Sequence, residues 1–368
     1  MIHFVLPTGH DFTINDYRAN AGRNVADRLR VVRYEDLPER DAFDRGTYVL
    51  AGLEGLGAGM LRFLQELHGR LSGVEGFRFL NHPIRSLRRF DLLAELSRTG
   101  RNDFRAVRAG GDLSGLRYPV FLRPETLHSG AISPLLRSAR EVERAIGNAL
   151  LFGHRLQDLL VVEFCDTADG DGFYRKYAAF VVGDRVLARS LEYGRAWMLK
   201  DAGNEFSLAM VEEERAFVQA NPHAKELGEI FRIAGIEYGR IDYAIENGRV
   251  QTWEINLHPT IGPDPHPPRN PVPEELKPIR RQSRDHFYRE FEAAWRAVDR
   301  ESEALPPVRV GIEETILRAA RRPAVPRGAL LRRARRLFRP LRPLRRVLVP
   351  FLGALGRTAR AARARSDR

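Results

Sequence analysis

The sequence predicts a mixed α/β and α+β protein: a small parallel α/β domain, two further lobes that use antiparallel strands, and a basic C-terminal extension. Three observations predict it. Strand-like and helix-like apolar segments alternate through residues 1–84, the pattern of a small parallel layer. Two later stretches read as hairpins, Phe173–Leu191 turning at Gly183-Asp184 and Gly239–Leu257 turning at Asn247-Gly248; Asn-Gly between alternating runs is a strong short-range hairpin signal. From Pro307 onward the composition changes abruptly, with 18 arginines against Glu313, Glu314 and Asp367. The boundaries we read are 1–84, 85–157, 158–305 and 306–368.

The net charge of +12 belongs to that last stretch. The preceding 306 residues carry 42 basic and 45 acidic groups, an ordinary near-neutral body. Only Lys176, Lys200, Lys225 and Lys277 are lysines; the other 56 basic residues are arginine. A length of 368 residues is enough for a large core in two or three lobes. The single cysteine, Cys165, excludes an internal disulfide framework and fits a reducing compartment. The opening MIHFVLPTGHDF lacks the basic and apolar regions of a signal peptide, and no run approaches the ~18 apolar residues of a membrane span. A cytoplasmic location is the expectation.

In chain order, strands are expected at Ile2–Val5, Val31–Tyr34, Tyr48–Ala51 and Phe77–Leu80. A helix ends near Val25–Arg30, and another covers Met60–Leu71. Gly55-Leu-Gly-Ala-Gly59-Met60 lies between a strand and a helix, as a dinucleotide fingerprint does. Met60 replaces its third glycine, where close packing is needed, so the glycines serve the turn. Asn81-His82-Pro83 precedes a helix from Ser86 to Arg98 closed by Gly100, with Arg88 and Arg89 near its start, where they read as a solvated face. Tyr118–Pro124 is a strand, followed by a small-residue loop at His128-Ser129-Gly130 and a helix over Glu141–Ala149.

Asp158–Cys165 is a buried strand leading into the acidic loop 166–172. That loop lacks the ligand spacing and the downstream bidentate glutamate of a calcium loop. Helices follow over Glu212–Ala220 and Lys225–Ala234. Eight prolines between Pro259 and Pro278 mark an extended cover, and His258 and His266 there lack the companions of a zinc site. Arg280–Glu303 is a charged helix with Phe287, Phe291, Ala294 and Trp295 on one stripe, which packs on the body. In the tail, Leu330, Leu331, Ala334, Leu337 and Phe338 fall at helical spacing among arginines, a basic amphipathic pattern. It suits an anionic membrane surface at the inner face, an acidic partner or nucleic acid, and equally a solvated arginine-rich extension.

The most informative stretch is Gly235–Gly262, GIEYGRIDYAIENGRVQTWEINLHPTIG. Side chains alternate along a strand, so Glu254 and Asn256 share a face, and Asp242 stands on the partner strand near their height. Two carboxylates and an amide oxygen are hard ligands suited to Mg²⁺. An exposed hairpin with one wet face is the plainer reading.

The pattern R-x-D, hairpin, E-x-N, proline loop resembles the metal-binding strands of the ATP-grasp superfamily. The hairpin of residues 173–191 resembles that of glutathione-synthetase-like and RimK-like members, and residues 172–182 with Trp197-Met-Leu-Lys200 and Glu212–Glu214 are more similar to ATP-grasp domains appended to tetratricopeptide proteins. The resemblance covers about residues 81–262 and implies a two-lobed ATP-grasp fold after the N-terminal domain. It implies ATP with one or two Mg²⁺ (or Mn²⁺) held by Asp242, Glu254 and Asn256. Arg89 and Arg123 stand where the family has phosphate-binding lysines; Ser129 and Gly130 form the phosphate loop. The backbone of Glu163, Phe164 and Cys165 would meet the adenine edge, and Asp166 the ribose. Arg175, Lys176 and Arg189 would line the nucleotide and acyl-phosphate site, with Arg240 facing the transferring phosphoryl group. The implied activity is ATP-dependent joining of a small or peptide carboxylate to an amine. A nucleotide-binding scaffold without ligase activity is the alternative, because arginine replaces lysine twice.

Overall fold

The structure, a computed structural model, describes residues 1–126, 130–199, 204–262, 270–300 and 305–321, all within one compact unit, Met1–Arg322. Strands β1 (Ile2–Leu6), β2 (Leu29–Arg33), β4 (Gly46–Leu50) and β5 (Phe77–Leu80) form a parallel sheet in the order β2-β1-β4-β5. β1 and β4 are buried along their whole length, as expected of parallel strands covered on both faces. Helices α1 (Phe12–Ala19) and α2 (Ala58–Leu71) connect them. Where a helix end was expected at Val25–Arg30, the chain forms a short 3₁₀ segment, Arg23–Arg28, and β2 starts earlier, at Leu29.

The second layer is antiparallel. Strands β6 (Ala106–Arg108), β7 (Val120–Pro124) and β8 (Leu159–Glu163) pair in the order β6-β8-β7. They are flanked by α3 (Arg89–Arg98) and α4 (Ala139–Leu151). Because β8 pairs only inside this small sheet, the change of sheet comes after Glu163, not at the expected boundary of 157/158. Helix α3 also begins three residues later than expected. The Leu87 amide donates to the Ala234 carbonyl and the Ser86 hydroxyl to that of Gly235, which holds both residues off the helix.

The third layer is the antiparallel sheet β10-β9-β11-β12, made of two hairpins: β9 (Tyr174–Val182) with β10 (Arg185–Gly194), and β11 (Tyr238–Glu246) with β12 (Arg249–Asn256). Asn247 and Gly248 both take positive φ, 51° and 74°, at the predicted turn. Helices α5 (Leu208–Ala220), α6 (Ala224–Ala234) and α7 (Lys277–Val298) cover the sheet. Phe287, Phe291, Ala294 and Trp295 are buried on the predicted stripe of α7.

The parallel sheet and the large antiparallel sheet share one hydrophobic core. Phe4 of β1 meets Tyr238 of β11 edge-on at 5.1 Å and Trp295 of α7 at 6.1 Å. Asn81, at φ 70°, clamps the two together. Its amide donates to the Leu50 and Tyr238 carbonyls, and its oxygen accepts from the Glu237 and Tyr238 amides. A buried amide that satisfies four backbone groups fixes their relative placement.

The expected boundary at 306 needs correction. Strand β13 (Val308–Arg309) pairs with β3 (Ala42–Phe43), and α8 (Glu314–Arg321) packs on α2. A Cβ on Gly59 would overlap the Ala319 carbonyl of α8, so this glycine of the G-x-G-x-G run is required by helix packing. The amphipathic segment Leu330–Arg339 and Ser129 lie outside the described residues. No described helix is long and apolar enough to cross a membrane.

Candidate functional site

The strand register decides which side chains meet. Asp242 pairs directly with Glu254, and Arg240 with Asn256. Cross-strand partners share a face, so Arg240, Asp242, Glu254 and Asn256 emerge together. On the other side of β11, Asp242 pairs with Ala178 of β9, and Lys176, two residues along, pairs with Glu192 of β10. The result is one charged sheet face.

Both outer strands are irregular at this face. The register of β12 slips between Asp242 and Tyr243, skipping Trp253, and that of β10 slips between Ala188 and Ser190, skipping Arg189. A bulge inserts one residue and re-aims its side chain. The first slip allows Trp253 to stack on Phe104 of the small lobe at 4.9 Å while Glu254 stays beside Asp242. Neither slip can be read from the sequence, which shows only alternating residue types.

The small lobe contributes the cations. Arg89, the first residue of α3, and Arg123, on β7, are both buried, and both reach the Oε2 of Glu254, Arg123 at 2.6 Å. Arg89 also donates to the Pro124 and Glu125 carbonyls, whereas Arg88 is exposed. Burial pulls the Arg89 pKa below its usual range against the support of Glu254. Among the described residues the Nε of Arg123 is buried without a partner, so there this guanidinium has a donor to spare. Gly130 takes a positive φ of 81°, as a tight loop after β7 demands.

On the sheet, Arg240 grips Asp242 through two bonds, 2.9 and 3.2 Å. Burial disfavours the Arg240 charge, but Asp242 outweighs it and holds the pKa above its usual value. Lys176 and Glu192 behave alike at 2.7 Å: burial opposes both charges, and their attraction raises the lysine and lowers the glutamate. Arg175 spans Asp169 and Glu213 and lies over the Tyr193 ring at 5.1 Å. That makes it a strut between the acidic loop and α5, so it does not reach the face where it was expected. Arg280 of α7 pairs with the buried Glu214 at 2.7 Å, a contact with no signal in sequence spacing.

At the hinge after β8 the expectation needs correction in part. The Glu163 amide already donates to the Arg105 carbonyl and the Phe164 amide to that of Pro119. The Glu163 carboxylate is buried and locked by Arg105 and Arg117, whose hydrogen bonds hold its pKa down although burial alone would raise it. Of the backbone donors expected to meet an adenine edge, those of Glu163 and Phe164 are therefore already engaged. Burial pushes the Cys165 thiol up to about 12, so it stays protonated. Asp166 is exposed and accepts from the Tyr174 hydroxyl at 3.0 Å. Over the hinge, Trp197 packs on Phe121 and Phe164 at 5.0 and 5.8 Å, and the Met198 sulfur accepts the Ala131 amide at 3.1 Å.

The donor set suits Mg²⁺ more than a metal caged by protein alone. Among the described residues no three His, Cys, Asp or Glu side chains converge. Asp242 and Glu254 supply two carboxylates, and Asn256 Oδ1 is oriented by the His258 amide at 2.8 Å. Mg²⁺ takes one or two protein carboxylates and completes its shell with phosphate and water. A shallow cleft opens on the neighbouring side of β12, lined by Leu53, Glu54, Arg88, Arg89, Glu125 and Ile255 among others.

No protein-family model and no curated protein sequence matches the chain. Solved structures similar to it include D-alanine–D-alanine ligase from Bacillus anthracis complexed with ATP (13% identity, TM-score 0.44, 80% of this chain and 97% of that one). Others are L-amino acid ligase from Bacillus licheniformis (12%, 0.37, 70% and 66%) and a RimK domain ATP-grasp protein from Sphaerobacter thermophilus (12%, 0.40, 80% and 100%).

Proposed function

We propose that the chain is an ATP-dependent ligase of the ATP-grasp type that joins a carboxylate to an amine. The observation that carries this reading is the convergence on Glu254: Asp242 and Asn256 beside it on the sheet, and Arg89 and Arg123 reaching it from the small lobe. Anion-binding cations facing a pair of oxygen ligands suit a polyphosphate and its divalent ion.

In this reading Asp242, Glu254 and Asn256 would hold Mg²⁺, which would supply neutralisation of phosphate charge. Arg89 and Arg123 turn from Glu254 toward the phosphates. Arg240 faces the transferring group. The substrate carboxylate oxygen takes the γ-phosphoryl and ADP leaves. The amine then attacks the acyl carbon, phosphate departs, and the amine loses its proton. Positioning and charge stabilisation supply the rate, and no side-chain nucleophile is required. The test is ADP release by the purified protein with Mg-ATP and a panel of carboxylic acids and amines, with Glu254→Gln as control. No stimulation by any pair, or equal rates for the variant, would refute it.

One observation favours a second reading, a nucleotide-binding scaffold without turnover. Glu254 is already satisfied by two arginines. Mg-ATP binding by calorimetry without ADP release across the panel would select it. The 322–368 segment, with its basic amphipathic pattern, is proposed to contact an anionic surface at the inner face of the membrane. Co-sedimentation with anionic vesicles, comparing the full chain with one ending at Arg321, checks this; equal binding removes it.

A further inference from the structure

The charged face contains four cations on the large sheet and α7, and three have carboxylate partners: Lys176 with Glu192, Arg240 with Asp242, and Arg280 with Glu214. Arg189 has none among the described residues. Its guanidinium is held by two rings of α7, 4.6 Å from the Phe287 centroid and 5.4 Å from that of Tyr288. It is partly exposed at its surface yet deeply surrounded by protein. Burial lowers its pKa; Tyr288 and the more distant Glu214 carboxylate support the charge, and Arg240 and Arg280 oppose it.

Leu187 pairs with Phe180, which pairs with Arg240, so Leu187 shares the face that carries Arg240 and Asp242. Arg189, two residues on, falls on that face by strand alternation, and the bulge brings Ser190 in beside it opposite Ala178. Arg189 thus adds a cation to a face that already carries Arg240 and Lys176, a cost that an arriving anion offsets. The aromatic pair fixes the guanidinium plane and leaves its edge for a bidentate oxyanion.

An anion on Arg189 would lie apart from one on Arg123. Arg189 is level with Asp242 but on β10, three strands from β12, which at roughly 4.8 Å per strand is about 14 Å from Glu254. We propose that Arg189 is the recognition cation of the acid-substrate pocket, and that the substrate carries a second carboxylate besides the one that is activated. The inference rests on the ligase reading for the word substrate; the anion site itself does not depend on it.

Calorimetry on the full chain tests it, with succinate, glutarate and L-glutamate as probes, each against its singly amidated counterpart. Mg-AMPPNP binding is measured in parallel for wild type, Arg189→Met and Arg189→Lys. The expected result is at least tenfold tighter binding of one dicarboxylate than of its amide by wild type. Arg189→Met loses that preference and Arg189→Lys keeps part of it. The inference is overturned if wild type shows no preference for any dicarboxylate, or if Arg189→Met retains it. If Mg-AMPPNP fails to bind wild type while an Arg189-dependent preference persists, the ligase reading falls and the anion site stands.

Discussion

Arg123 and Glu254 meet at 2.6 Å across the boundary between the small sheet and the large one, with Arg89 on the same carboxylate oxygen. A carboxylate expected to bind metal is thus engaged by the cations expected to bind phosphate. Nucleotide binding would then exchange counter-ions among groups whose desolvation cost is already met by the fold. Glu254→Gln leaves two buried guanidinium groups uncompensated, so unfolding free energy should fall by about 3–5 kcal/mol. Urea denaturation reads this, and adding Arg123→Met should recover part of the loss.

Arg123→Met should weaken Mg-ATP binding roughly tenfold to a hundredfold, the worth of one charge-assisted hydrogen bond. Arg123→Lys should fall between, because lysine keeps the charge but not the fork. Calorimetry on both variants checks the order; equal affinity for all three proteins removes Arg123 from the phosphate site.

Asn81→Gly keeps the positive-φ backbone and deletes the amide that satisfies Leu50, Glu237 and Tyr238. Each buried group left unpaired costs about 1–3 kcal/mol, so a loss of about 3 kcal/mol or more is expected. Amide exchange at Glu237 and Tyr238 should accelerate in step.

The Lys176–Glu192 pair sets a pH window. Glu192 titrates below its ordinary 4.5 in the folded chain, so its contribution is complete above that value and lost as pH falls through the folded pKa. Lys176 titrates above 10.5, so its contribution is complete below that value and lost as pH rises through the folded pKa. Stability of Glu192→Gln, followed by thermal melting from pH 3 to 11, should show shallower limbs at both ends than wild type.

The charged face was legible because its residue types, hairpin turn and spacing are local. Asp242, Glu254 and Asn256 follow from period-two alternation and one Asn-Gly turn. What sequence could not supply is what depends on a slip or a distant partner. The bulges at Arg189 and Trp253 change no residue type, and Arg175 is drawn to Glu213, 38 positions away. Arg88 and Arg89 read alike until the start of α3 exposes one and buries the other. The boundary at 306 followed a change in composition, but α8 is held by its fit against Gly59, which composition does not record.

The shared core of Phe4, Tyr238 and Trp295 has a consequence for modularity. A domain joined to its neighbour by a linker can be excised, transplanted or exchanged between proteins. Residues 1–84 cannot, because removing them would bare Tyr238 and Trp295, both fully buried, and strand the backbone groups that Asn81 completes. A chain beginning at residue 85 should accumulate as insoluble protein.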